Sequence, residues 1–201
     1  MNRRDALKNL GLSLGYVIAT PTILSMLQSC TATEDKWTPL FFSDKQAYVL
    51  ENLVDLILPK TKGVPGALDV NVPQFIDLYT YKTATDEQKE RYTTGLDAVI
   101  EELGIPEELN PPNEKPFTLE TEKFDAILSK YLRLTKEERL VYAEQENLVF
   151  ITLMKIRDQT IWAYKSSKEI GKNVLAYDPI PGQQKGCISV VKATGGKAWS
   201  L

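Results

Sequence analysis

Histidine is absent from this 201-residue chain. That removes the commonest general acid–base and the commonest metal ligand together. Cysteine is scarce: Cys30 and Cys187 lie far apart and form neither a C-x-x-C pair for zinc nor a C-x-x-C-H site for covalent haem. Neither G-x-G-x-x-G nor G-K-[ST] occurs, so dinucleotide and P-loop chemistry have no motif to stand on. Basic runs are missing as well. With 24 Lys and Arg against 27 Asp and Glu, the chain is a poor partner for nucleic acid. Paired acids occur at Glu101–Glu102, Glu107–Glu108 and Glu137–Glu138. Neighbours on a helix diverge, so these read as solvated faces rather than acid–base pairs. There is no internal repeat, and the length suits one domain with a real core.

What is present begins with a leader. M-N-R-R-D-A-L-K is followed by a mildly apolar stretch from Leu10 to Leu27, broken by Gly11, Gly15 and Pro21, and then by Leu27-Gln28-Ser29-Cys30. The stretch is just long enough for a transmembrane helix, but its glycines, Pro21, Thr20, Thr22 and Ser25 weaken that reading. An ordinary secretory signal fits its charged start and apolar middle. The sharpest reading uses both ends. Arg3, Arg4, Leu7 and Lys8 resemble the twin-arginine export motif, with Asn2 and Ala6 departing from it, and Leu27 to Cys30 resemble a lipobox. The glycine-bearing middle favours the twin-arginine route over general secretion. The expectation is an export signal over residues 1–29, lipid attachment at Cys30, and a lipid-anchored tether over residues 30–42. The protein is then exported, as a periplasmic or cell-envelope lipoprotein. The plainer alternative makes Cys30 incidental in a cleaved leader.

The mature chain is organised around Ser43 to Pro59. Ser43 and Gln46 have the spacing of a capping box, and Phe42 can staple onto Ala47. Pro59 closes the far end. At 100° per residue, Ala47, Val49, Leu50, Leu53, Val54, Leu56, Ile57 and Leu58 cover half the circumference or more. Asp44, Tyr48, Glu51, Asn52 and Asp55 form the polar strip. So wide an apolar arc predicts a central buried helix over 43–58.

Beyond it, Pro65-Gly66 predicts a type II turn with Gly66 at positive φ. Asn71 is placed to cap a helix whose apolar face is Phe75, Ile76 and Tyr79, with Pro73 in its first turn. Thr85 and Gln88 form a second capping box, opening a helix with Tyr92, Leu96, Val99 and Leu103 on one stripe and Gly104 as its stop. Residues 104–117 are a proline-rich loop within the domain. Thr118 or Thr121 opens a helix bearing Phe124, Ile127, Leu128 and Tyr131. Thr135 and Glu138 form a third capping box, leading into one long segment that ends near Tyr164. Its run Leu148–Met154 reads as buried helix rather than strand. Ser166 and Glu169 start a short helix stopping near Gly171, and from Asn173 onward an aperiodic arm follows. The fold class is all-α: one compact helical domain over 43–201, with an N-terminal signal and lipid tether and an irregular C-terminal arm.

The stretch L-V-D-L-I-L-P-K-T, with P-G-A and V-P-Q-F-I-D after it, resembles the gluconate 2-dehydrogenase subunit 3 family. Y-K-S-S-K-E-I-G-K and Y-D-P-I-P-G-Q-Q-K-G-C-I agree with it, so the resemblance spans roughly Ser43 to Ile188. It implies a small accessory subunit of a membrane-associated dehydrogenase. Its large partner is a flavoprotein of the glucose–methanol–choline (GMC) type that holds FAD, and a cytochrome c subunit often passes the electrons on. No catalytic, cofactor-binding or metal residue is expected in this chain. The resemblance also points to Pro59, Pro65, Gly66, Tyr177, Pro181 and Gly182 as the candidate partner interface. Tyr164 and Trp199 are further possible anchors, against the commoner role of aromatics in cores. The rival from another class is a stand-alone envelope lipoprotein that binds a ligand or an envelope component. An independent enzyme using Asp55 or Asp77 ranks last, because acids without a positioned partner make a thin site. Asp55 is expected to be a partly buried, hydrogen-bonded structural acid and Cys187 a small buried thiol.

Overall fold

The capping box of Ser43 and Gln46 opens the first helix of the computed structural model, which describes residues 37–109, 117–178, 182 and 186–200. The chain divides into two units, Met1–Thr38 and Pro39–Leu201, and every described helix belongs to the second. Helix α1 (Asp44–Ile57) ends where the Leu58 amide donates to the Val54 carbonyl, one residue before Pro59. Val49, Leu50, Leu53 and Val54 are fully buried along it. Gln46 is buried too, with its amide donating to Asp97 Oδ1 at 2.7 Å. Around α1 pack α2 (Val72–Thr83), α3 (Asp86–Leu103), α4 (Thr121–Leu132) and the long α6 (Leu148–Ser166). Helix α5 (Lys136–Glu144) lies outside this layer and buries none of its residues. Helix α6 touches all five of these helices, so α1 and α6 together form the centre. Among the described residues there is no strand, only the isolated bridges Thr61–Val64 and Ala176–Trp199.

The boxes at Thr85 and Thr135 form, and Gly104 ends α3 in the left-handed conformation at φ 68°. Phe124, Ile127, Leu128 and Tyr131 are the buried face of α4, which starts at Thr121.

Several expectations need correction. The long helix from Thr135 to Tyr164 is two helices. Glu146 takes a positive φ of 50°, and the Asn147 side chain accepts from the Phe150 amide at 2.9 Å, starting α6 anew. Asn71 precedes α2 but makes no side-chain cap; it sits in the left-handed region at φ 56°. On α2 the buried face is Val72, Pro73, Ile76, Asp77 and Thr80, whereas Phe75 and Tyr79 lie on the surface. Leu56, Ile57 and Leu58, expected in the buried arc, are half-buried because they line an open cleft against α4 and α6. Beyond α6 it is Ser167, not Ser166, whose hydroxyl accepts from Ile170, and a π-helical turn follows over Ile170–Val174. The arm contains a short helix, α7 (Val190–Thr194), capped by Ser189 and ended by Gly195. Cys187 is exposed rather than buried.

Candidate functional site

The loop after α1 folds back on the helices instead of projecting from them. Ala67, with no exposed surface, donates its amide to Leu58 O at 2.8 Å. Asp69 accepts from the Gly66 amide and from Lys60 Nζ, each at 2.8 Å. The Lys60 ammonium first, and the Gly66 amide second, hold the Asp69 carboxyl below the usual carboxylate range. Tyr164 near the end of α6 donates its hydroxyl to Pro65 O at 2.7 Å. Burial, and then the charge of Asp69, push the Tyr164 phenol up.

The turn itself lies earlier than expected. Thr61 and Val64 exchange backbone hydrogen bonds around Gly63, whose φ of 82° is the positive value such a turn requires. Gly66 has no positive φ; it is needed because a Cβ there would lie 2.5 Å from Lys60 N. Of the candidate interface residues, Pro59 is exposed, Pro65 half-buried and Gly66 buried. Gly66 therefore shapes this surface without lining it.

The arm leaves from the same end of the bundle. Ile170 is fully buried, the Leu175 amide donates to Ile170 O at 2.9 Å, and Ala176 pairs with Ala198 and Ser200. Tyr177 and Trp199 are about half exposed, and Gly182 is exposed. Lys172 Nζ stands 5.5 Å from the centre of the Tyr177 ring. Pro181 lies outside the described residues, as do Arg3, Arg4, Leu7, Lys8 and Cys30. The Pro65–Tyr164 bond thus joins the loop to the helix from which the arm departs.

Asp77 is not a catalytic acid in this geometry. Buried on α2, it accepts from the amides of Leu40 at 2.7 Å and of Phe41 and Phe42 at 3.0 Å each. Three amides occupy three of its roughly four acceptor sites, and they fix the chain's approach to α1. Phe42, so placed, packs edge-on against Tyr92 at 5.2 Å between ring centres. Asp55 is half-buried, as expected, but among the described residues the hydrogen bond expected of a structural acid does not form.

One surface went unread in the sequence. Phe75 stacks on Tyr79 at 5.9 Å, and Trp162 of α6 meets them at 5.4 and 5.1 Å. Leu78 and Tyr81 are exposed on α2 as well, turned further round the helix from these rings. The signal was available: α2 carries apolar residues on more of its circumference than one core-facing stripe uses. A cleft of about 330 Å³ opens elsewhere, between the ends of α1 and α4 and the side of α6, with Arg133, Arg157 and Asp125 in its walls.

Among the described residues, no group of three or more His, Cys, Asp or Glu side chains is placed to hold a metal ion. Among them, too, no helix is long and apolar enough to cross a membrane. No curated protein and no solved structure matches the chain. The profile of one family does match, over residues 44–182, which takes in α1 to α6, the Pro59–Ala67 loop and the start of the arm. The chain belongs to the gluconate 2-dehydrogenase subunit 3 family.

Proposed function

We propose that this chain is the non-catalytic small subunit of an exported, FAD-dependent sugar or polyol dehydrogenase. In this reading catalysis and FAD reside in a GMC-type flavoprotein partner, and a cytochrome c subunit carries electrons onward. The chain accompanies the flavoprotein across the membrane, stabilises it, and anchors it through lipid on Cys30. The observation that carries the reading is the family match through both the Pro59–Ala67 loop and the arm as far as Gly182. The loop and the described start of the arm, as far as Asp178, adjoin the Tyr164 end of α6, where one partner can engage them together. The loop is held rigid by its own hydrogen bonds, so little ordering entropy is lost when a partner covers it.

Truncation after Leu175 tests the interface. It keeps buried Ile170 and the turn that Leu175 closes, while removing Tyr177 and everything beyond. The expected outcome is a cooperative helical domain that no longer co-purifies with the flavoprotein. A complex that forms as before moves the interface elsewhere. A chain that purifies alone from its native host and retains a small ligand instead supports the stand-alone lipoprotein.

A further inference from the structure

We infer that the aromatic face of α2 rests on the lipid surface to which Cys30 tethers the chain; the inference rests on the lipid anchor in the function proposed above.

The helix carries more apolar residues than its core-facing side uses, and the others lie round its exposed side. Val72, Ile76 and Thr80 face inward, while Phe75, Leu78, Tyr79 and Tyr81 are each about two-fifths exposed. Trp162 adds to this surface from α6. The Phe75, Tyr79 and Trp162 rings already pack on one another, so the face is ordered before it meets anything. Tryptophan and tyrosine favour the zone between headgroups and acyl chains, because their rings join an apolar body to a polar tip. Lys82 and Lys89 hold their ammonium groups 5.0 and 5.5 Å from the Tyr81 ring centre. Aromatics rimmed by lysines suit a surface whose headgroups carry negative charge.

Lipid is favoured as occupant by where the chain joins this helix. The Asp77 carboxylate fixes the amides of Leu40, Phe41 and Phe42 to α2, and Leu40 itself is 64% exposed. Cys30 stands ten residues before Leu40. Even fully extended, that span reaches only about 35 Å. A lipid on Cys30 therefore holds a bilayer within reach of this face and raises its effective concentration there.

The test uses the lipidated protein in vesicles of phosphatidylethanolamine and phosphatidylglycerol. Trp37→Phe and Trp199→Phe leave Trp162 as the sole tryptophan of the three. Acyl chains brominated near the headgroup should quench Trp162 fluorescence by at least half. In unlipidated Cys30→Ser protein, Leu78→Glu with Tyr81→Glu should lower partitioning into the same vesicles at least tenfold. The urea midpoint should not move, since both side chains lie outside the core. Unquenched Trp162 in vesicle-bound lipidated protein overturns the inference, as does unchanged partitioning of the double variant. Loss of the flavoprotein on Leu78→Glu with Tyr81→Glu, with vesicle binding intact, assigns the face to a protein partner and equally overturns it. If mass spectrometry finds no lipid on Cys30, the anchor reading fails separately, and partitioning of the unlipidated chain still decides the face.

Discussion

At the scale of single residues, two carboxylates, one of them a catalytic candidate by sequence, hold backbone in place. Asp77 is the acceptor for three consecutive amides at the approach to α1. Removing it leaves the buried Phe42 donor and the partly buried Leu40 and Phe41 donors without their acceptor. Asp77→Ala should therefore cost about 1–3 kcal/mol of unfolding free energy, read from urea denaturation, the cost of one unsatisfied buried group. Asp77→Asn should recover only part of this, because its NH2 group opposes an amide donor. Asp69 does the same work in the open. Its carboxyl is held below the usual range by Lys60 and then by the Gly66 amide, so the folded loop favours the ionised form. A depressed carboxyl contributes stability above its unfolded pKa, near 4, and loses it as pH falls through the folded value. Hydrogen exchange at the Gly66 amide, corrected for intrinsic rate, should accelerate as pH drops below about 4. Asp69→Asn should already show that faster exchange at neutral pH and lose the acid dependence. Equal protection in both proteins across this range refutes a loop held by the carboxylate.

At the scale of elements, side chains that bond to nearby backbone made helix starts legible. Ser43 with Gln46, Thr85 with Gln88 and Thr135 with Glu138 all form the boxes their spacing announces. Gly104 stops α3 for a reason equally local. The α5–α6 break was missed because Asn147 follows Glu144, Gln145 and Glu146, residues that suit a helix interior or its surface. Only the left-handed turn at Glu146, set by how α6 packs, makes Asn147 a cap. The loop was legible as a turn region, yet Gly66 answers to the nearby Lys60 backbone, which lies outside the turn's own pattern. The face of α2 was misassigned because periodicity counts apolar residues without saying which stripe meets the core. Contacts between elements are the information that sequence withholds, and Gly95 is an example. It looks like a weak point in α3, but a Cβ there would fall on the Thr152 side chain of α6. Gly95→Ala should therefore destabilise the domain by about 1–3 kcal/mol despite alanine's better helix propensity. Thr152→Ala in the same chain should recover part of that loss. A Gly95→Ala protein with a raised unfolding midpoint means that α3 and α6 do not approach so closely there.

At the scale of the whole molecule, the question is what a helical domain with no assigned chemistry does for a dehydrogenase. Twin-arginine transport carries folded proteins, and a flavoprotein must fold around FAD before it can be exported in active form. If the large subunit crosses only while bound to this chain, Arg3 and Arg4 decide where the enzyme ends up without touching its reaction. Guanidinium is a planar fork that the lysine ammonium does not reproduce. Arg3→Lys with Arg4→Lys keeps the charge but should impair recognition of the signal. The expected outcome is folded, FAD-loaded flavoprotein in the cytoplasm and its activity missing from the envelope fraction. Cys30→Ser should act differently, leaving transport of the folded pair intact while abolishing lipidation, so that activity shifts from membrane to soluble periplasm. The two variants separate export from anchoring, and the truncation after Leu175 separates both from binding. Envelope activity at its normal level in the paired-lysine variant, with this chain itself held back in the cytoplasm, would show that the flavoprotein travels on its own. Neither export of the enzyme nor its retention in the envelope would then depend on this chain, and the co-export and anchoring roles would fall together.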